Sequence, residues 1–312
     1  MTPTRYNAID DQRAVLIVLV IVVHTVHFTA LHPELKAFIN CFFMQAFLLI
    51  TGYLVKVDRS PLAFARYLGK IALPYAIMVV GYAYVSTLAP VADGISHFDV
   101  PTLLRVVFVA PLGPYWFLHT MIVCGALYYV AFHLLRRFGV AAQLSVFATL
   151  LMLVAQYTPL LSATHAAFYA LGVCVRLTGR RLDELFRPSL WALLPFGALA
   201  SYGGYADWHF LATLVLVASF LSFVPPTVTV CDGRRLHRWV GFVGRNTLPV
   251  YLFHPIFTMA AKFAVPLFSF DPTGVAHLLV TIVMAVAGSY AIALALDRTH
   301  LALLFGRQRL MR

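Results

Sequence analysis

Apolar windows roughly 20 residues long, enough to cross a bilayer as a helix, recur from end to end of this 312-residue chain. They fall near 14–31, 37–55, 69–89, 113–134, 141–158, 163–178, 189–206, 208–225, 241–265 and 275–296. Ten such windows predict an all-α polytopic membrane protein, a single transmembrane domain over 1–312 with no soluble domain. The faintest boundary is Tyr202–Asp207, which holds Gly203 and Gly204. Composition agrees: 61% of the residues are hydrophobic and 11% are charged, where soluble domains carry about 25% charged residues.

Charge then orients the chain. The formal +11 would suggest nucleic acid in a soluble protein, but between membrane spans it is a topology signal. With the N-terminus inside, the cytoplasmic segments are the N-terminus, 56–70, 135–140, 176–188, 226–245 and the C-terminus. All 23 basic residues except Lys36, Arg105 and Lys262 fall there. Both termini are therefore expected in the cytoplasm. Asp10 and Asp11 interrupt the basic start and no small-residue cleavage site follows, so the first span is expected to stay in the mature protein. Cys41, Cys124, Cys174 and Cys231 are scattered, with no spacing that suggests zinc or disulfides.

Polar groups at membrane depth are costly, and each one needs a reason. In "DDQRAVLIVLVIVVHTVH" (10–27), Arg13 and His24 lie eleven residues apart, a rise of about 16 Å. That puts Arg13 at the inner interface and His24 in the outer half. Asn40 and Gln45 enter from outside on the second span, and "GPYWFLHT" brings Tyr115, Trp116 and His119 to a similar depth. "RNTLPVYLFHP" climbs from Arg245 past Tyr251 to His254, about 13 Å higher. Each residue has a plain alternative. A lone histidine in a span more often closes an interhelical hydrogen bond, and Tyr115 and Trp116 read equally well as interfacial aromatics. The convergence of several spans is harder to dismiss. No Asp or Glu lies deep in any window, so a carboxylate relay has little to work with, whereas imidazole can take a proton near neutral pH.

Five stretches in order carry a resemblance. "DDQRAVLIVLVIVVH" places Asp10, Arg13 and His24 in one helix; "FLLITGYL" (47–54) ends the second; "RYLGKIALPY" (66–75) opens the third; "YWFLHTM" opens the fourth; "GRNTLPVYLFHP" (244–255) forms the ninth. Together they are similar to the membrane acyltransferase-3 family, bacterial integral-membrane enzymes that O-acylate cell-surface carbohydrates. Thr51 stands where the family has serine, Ala14 where it has glycine, and Arg66 and Lys70 are four apart where it has two arginines three apart.

The resemblance implies a multi-pass protein of the bacterial inner membrane that moves an acetyl group from cytoplasmic acetyl-CoA to a hydroxyl of an extracytoplasmic glycan or lipid-linked sugar. Acetyl-CoA is then a co-substrate, with no permanently bound cofactor and no metal. Arg13, Arg66, Lys70, Arg176 and Arg245 would bind CoA phosphates, since guanidinium forks suit phosphate oxygens. Asp10 would hold Arg13 at i, i+3. His24 would act as general base toward the attacking hydroxyl. Asn40, Gln45, His119 and Tyr251 are candidates to stabilise the oxyanion; His254 would help position His24 or bind acceptor; Tyr115 and Trp116 would stack on a sugar. The expected partners are acyl-CoA, the saccharide, membrane lipids, and a second copy or polysaccharide-assembly machinery, with no nucleic acid. The competing reading is a transporter or flippase of a lipid-linked sugar or acyl carrier. Within the enzyme class, a succinyl or other acyl donor is the runner-up to acetyl.

Overall fold

Proline decides much of how these spans are built, both where it starts a helix and where it interrupts one. The computed structural model describes residues 8–88, 91, 93–204, 209–230 and 234–311, without the side chains of residues 234–236. Arg5, Cys231, Arg312 and the end of the faint boundary from residue 205 to 208 lie outside the described residues. Every regular element described is helical. The α-helices are α1 (Ala8–His24), α2 (Val26–Leu31), α3 (Pro33–Asn40), α4 (Phe43–Leu54), α5 (Pro61–Ser86), α6 (Val100–Phe108), α7 (Trp116–Leu134), α8 (Val140–Tyr157), α9 (Ala163–Leu177), α10 (Leu182–Leu185), α11 (Leu193–Tyr202), α12 (Phe210–Val230), α13 (Arg234–Arg245), α14 (Thr247–Ala261) and α15 (Val275–Arg298).

Seven helical stretches among the described residues are long and apolar enough to cross a membrane: Pro33–Leu54, Pro61–Ser86, Gly113–Leu134, Val140–Tyr157, Phe210–Val230, Thr247–Phe268 and Val275–Arg298. Ala163–Leu177 and Leu190–Tyr202 are apolar but shorter. Two of the ten windows are broken by local chemistry. The first stops at His24, because the Thr25 hydroxyl donates to the Ile21 carbonyl at 2.9 Å while the Thr25 N–H tightens onto Val22 O at 3.1 Å. The ninth breaks at Asn246, whose side-chain amide donates to Phe242 O at 2.9 Å. α13 before that break is amphipathic and basic, and α14 after it is apolar.

The described chain divides into two compact units. The first holds residues 1–47, 175–299 and 309–312. Its centre is α1, which packs against α12, α13, α14 and α15. Leu16, Ile17, Val20 and Ile21 are almost fully buried, so this helix is apolar all round because protein surrounds it. α13 reaches α1 through Gly244, where a Cβ would stand 1.9 Å from the Asp10 carbonyl oxygen. Phe42, Phe196, Phe220 and Phe223 fill the space where α11 meets α12.

The second unit holds residues 48–174 and 300–308. In it α5 packs on α6, on α7 and on the 3-10 turns Gly113–Tyr115 and Leu301–Phe305. α9 crosses the end of α4 backbone to backbone: a Cβ on Gly52 would meet Tyr169 O at 2.1 Å, and one on Gly172 would meet Leu49 O at 2.0 Å. Small residues permit such crossings in membrane helices, where close packing replaces the hydrophobic drive.

Prolines inside helices remove an N–H and leave the carbonyl four residues back without its helical donor. Four carbonyls released in this way find new donors. In the first unit, Pro225 frees Leu221 O for the Gln12 amide at 2.7 Å, and Pro226 frees Ser222 O for the Ser189 N–H at 3.0 Å. Pro255 frees Tyr251 O for the His254 ring at 2.9 Å. In the second unit, Pro74 frees Lys70 O for the Arg307 guanidinium at 3.1 Å.

Candidate active site

The first turn of α1 and the start of α14 meet in a charged cluster in the first unit. Asp10 is buried, with one carboxylate oxygen 3.9 Å from the Arg13 guanidinium and the other 3.8 Å from that of Arg245. Arg13 also donates to the Thr247 hydroxyl at 2.6 Å. The Asn246 break is what puts that hydroxyl within reach, because it sets Thr247 as the first residue of α14. Two cations share the Asp10 carboxylate, with Asp11 buried beside it in the same turn. Arg245 is about half exposed, and Arg176, on the last turn of α9, is half-buried.

Eleven residues further along α1 comes His24, and seven along α14 from Thr247 comes His254. Their rings meet edge to face, 5.2 Å between centroids at 67°. The hydrogen-bonding on each ring fixes its tautomer. His24 Nδ1 lies 2.7 Å from Val20 O, and His254 Nδ1 lies 2.9 Å from Tyr251 O and 3.1 Å from Val250 O. A carbonyl can only accept, so each Nδ1 carries the hydrogen and each Nε2 carries a lone pair. His254 is fully buried and its Nε2 has no hydrogen-bond partner among the described residues. His24 is half-buried. Two imidazoles thus pack ring against ring with Nε2 as the basic nitrogen of each, an arrangement able to take up a proton.

The other expected residues are distributed more widely. Tyr251 is buried, with its ring 6.2 Å from that of His254. Gln45 is buried in α4 and its Oε1 is unsatisfied among the described residues, while Asn40 is exposed at the end of α3. In the second unit, Tyr115 is buried edge-on to Tyr82, so its ring faces are covered by protein. Trp116 stacks on His165 at 4.6 Å and 19°. The buried His119 donates from Nε2 to Phe108 O at 3.1 Å, which ties α7 to the end of α6. Arg66 and Lys70 are exposed on α5 and open onto an apolar slot of about 760 Å³ in that unit. Among the described residues no group of three or more His, Cys, Asp or Glu is placed to hold a metal.

Sequence reasoning did not single out Thr247, Gln12, His165, His277 or Arg307. His277 faces His27 edge-on at 5.2 Å, a second imidazole pair in the first unit. The signals for Gln12 and Arg307 were the helix-interior prolines Pro225 and Pro74, each of which leaves a carbonyl in need of a donor. Nothing near His165 or His277 in sequence announces a partner.

Neither a curated protein nor a solved structure gives a match. A family model for an acyltransferase domain, acyltransferase-3, matches residues 6–294. That range takes in the Asp10–Arg13–Arg245–Thr247 cluster and both rings of the His24–His254 pair. With nearly the whole chain matched and helices long and apolar enough to cross a bilayer, the chain belongs to the acyltransferase-3 family and is a multi-pass membrane acyltransferase.

Proposed function

We propose that the protein is a transmembrane O-acetyltransferase of the bacterial inner membrane, with both termini in the cytoplasm. It takes acetyl from cytoplasmic acetyl-CoA and gives it to a hydroxyl of an extracytoplasmic glycan or lipid-linked sugar. The observation that supports this reading is the His24–His254 ring pair, 5.2 Å apart, with each Nδ1 tied to a carbonyl of its own helix so that the proton-accepting position on a neutral ring is Nε2. A hydroxyl is a weak nucleophile until a base takes its proton, and His24 is the half-buried and so reachable member of the pair. As the hydroxyl oxygen bonds to the thioester carbon, its proton passes to His24 Nε2. The tetrahedral oxyanion collapses, the C–S bond breaks, and the leaving thiolate takes the proton from His24. The products are the ester and free CoA, and the base is restored. His254 contributes a lone pair beside the protonated ring, where a second N–H would repel it. Gln45, buried in α4, can offer its amide N–H to the oxyanion, ahead of the exposed Asn40.

The CoA phosphates suit the guanidinium groups of Arg13, Arg176 and Arg245 in the first unit, of which Arg245 is about half exposed. His119 and Tyr115 serve packing in the second unit, and Trp116 with His165 offers one stacked platform for a sugar ring.

Oriented vesicles test the proposal. Labelled acetyl-CoA on the Arg-rich side should pass its label to an acceptor supplied only on the other side, with free CoA left behind. Transfer should fall at acidic pH, because a protonated Nε2 cannot act as base. Unmodified acceptor crossing at a rate that depends on His24 would instead identify a flippase.

A further inference from the structure

The apolar slot in the second unit is not used by the mechanism above. Its cations, Arg66 and Lys70, sit at one end of the α5 face that lines it and Ala76 at the other. Ten residues of helix make that face about 15 Å long, half of a hydrocarbon core about 30 Å thick. The stretch of α5 that lines the slot therefore matches the depth of one leaflet. Gly69, Ala72 and Ala76 keep its floor free of bulky side chains. Neither Arg66 nor Lys70 has a carboxylate partner among the described residues, so the mouth is cationic.

The walls discriminate between two anionic ligands. The pantetheine arm of CoA carries two amides and a hydroxyl, each of which loses free energy if it is buried without a partner. Beyond the cations, the polar side chains in the wall are Tyr75 and His119. Tyr75 donates to Val107 O at 2.7 Å and His119 to Phe108 O at 3.1 Å, so both donors face α6 carbonyls and are not free for an amide. A saturated chain needs no such partners.

We propose that this slot binds one acyl chain of an anionic phospholipid from the surrounding bilayer, with the lipid phosphate on Arg66 and Lys70. The match of that α5 stretch to a single leaflet favours a bilayer lipid over the far longer chain of a polyprenyl carrier. A lipid bound here lies along the α5 face whose Pro74 kink is closed by Arg307 and whose wall includes Gly306, and so braces the second unit where its helix ladder is interrupted.

The test is lipid retention, and it needs no acyl transfer. Full-length protein in detergent, incubated with phosphatidylglycerol, should retain it in native mass spectrometry and gain thermal stability, and phosphatidylcholine at equal concentration should do much less. Arg66→Gln with Lys70→Gln should reduce retention about tenfold or more. Ala72→Phe, which fills the slot and leaves the cations in place, should abolish retention while the protein still elutes as a folded species. Ala76→Leu serves the same purpose should Ala72→Phe fail to fold. The proposal is overturned if a slot-filling variant keeps its lipid, if polyprenyl phosphate displaces phosphatidylglycerol at equal concentration, or if acetyl-CoA displaces the lipid in competition.

Discussion

Pro255 and Pro74 make the same covalent defect in the two units, and the molecule repairs it with different kinds of donor. At Pro255 the freed Tyr251 carbonyl is taken by His254, whose second nitrogen then stands bare beside His24. At Pro74 the freed Lys70 carbonyl is taken by Arg307, which fastens the segment after α15 to α5. The missing N–H is the same in both cases. What differs is what the substitute donor presents on its other side: a lone pair in one unit, an anchored loop in the other. The comparison shows how a proline within a helix becomes chemical in one place and structural in another.

Removing the chemical side of the comparison should have the largest effect. His24→Ala should lower acetyl transfer by about 10²–10⁴-fold, the usual worth of a general base, in protein that still inserts and elutes normally. Near-normal turnover in a well-folded His24→Ala sample would remove the base assignment. A smaller effect separates the two prolines. Pro255→Ala restores an N–H for Tyr251 O and loosens the hold on His254 Nδ1, so turnover should drop on the order of tenfold, about 1.4 kcal/mol of barrier. Pro74→Ala should leave turnover close to normal, and equal losses in the two variants would erase the distinction drawn between the units.

A weaker effect still is expected at the charged cluster. Arg245→Gln should raise the KM for acetyl-CoA a few-fold with little change in kcat, as suits an exposed charge worth about 0.2–1 kcal/mol. Added salt should raise the KM of the unaltered protein in the same way, and a loss confined to kcat would place Arg245 nearer the chemistry. The smallest effect concerns Asp271, which caps α15 by accepting from the Thr273 hydroxyl and from the Ala276 N–H at 2.7 Å. Those bonds favour the carboxylate and hold its pKa below the ordinary 3.8, with the Thr273 hydroxyl the largest cause. A depressed folded-state pKa gives stability that is present above about pH 4 and fades as pH falls below it. Asp271→Ala should therefore lower the melting temperature slightly at pH 7 and by less at pH 3; an equal loss at both would mean the charge is irrelevant to the cap.

Membrane-spanning character was legible from length and apolar content alone, because a bilayer demands windows of a fixed size. Interruptions within a window were not. Thr25 and Asn246 look like ordinary residues of apolar or mixed stretches, and only their hydroxyl and amide bonds to the preceding turn end the helices there. The spacing that puts Arg13 and His24 on one helix is readable as a periodicity. The convergence of that helix with α14 is not, since Thr247 and His254 lie more than 220 residues away in the chain.

By itself the sequence determined that the chain is helical, that it lives in a membrane, and that Asp10, Arg13, His24 and the 244–255 segment resemble those of one family of acyltransferases. Only the tertiary structure decided which nitrogen of each histidine is tied to a carbonyl, that Asp10 is shared by Arg13 and Arg245, and that Arg66 and Lys70 open onto an apolar slot. The physical reason is range. Hydropathy and helix periodicity act over one span and are written locally, whereas a tautomer, a shared carboxylate or a cavity wall is set by donors and side chains from helices far apart in sequence.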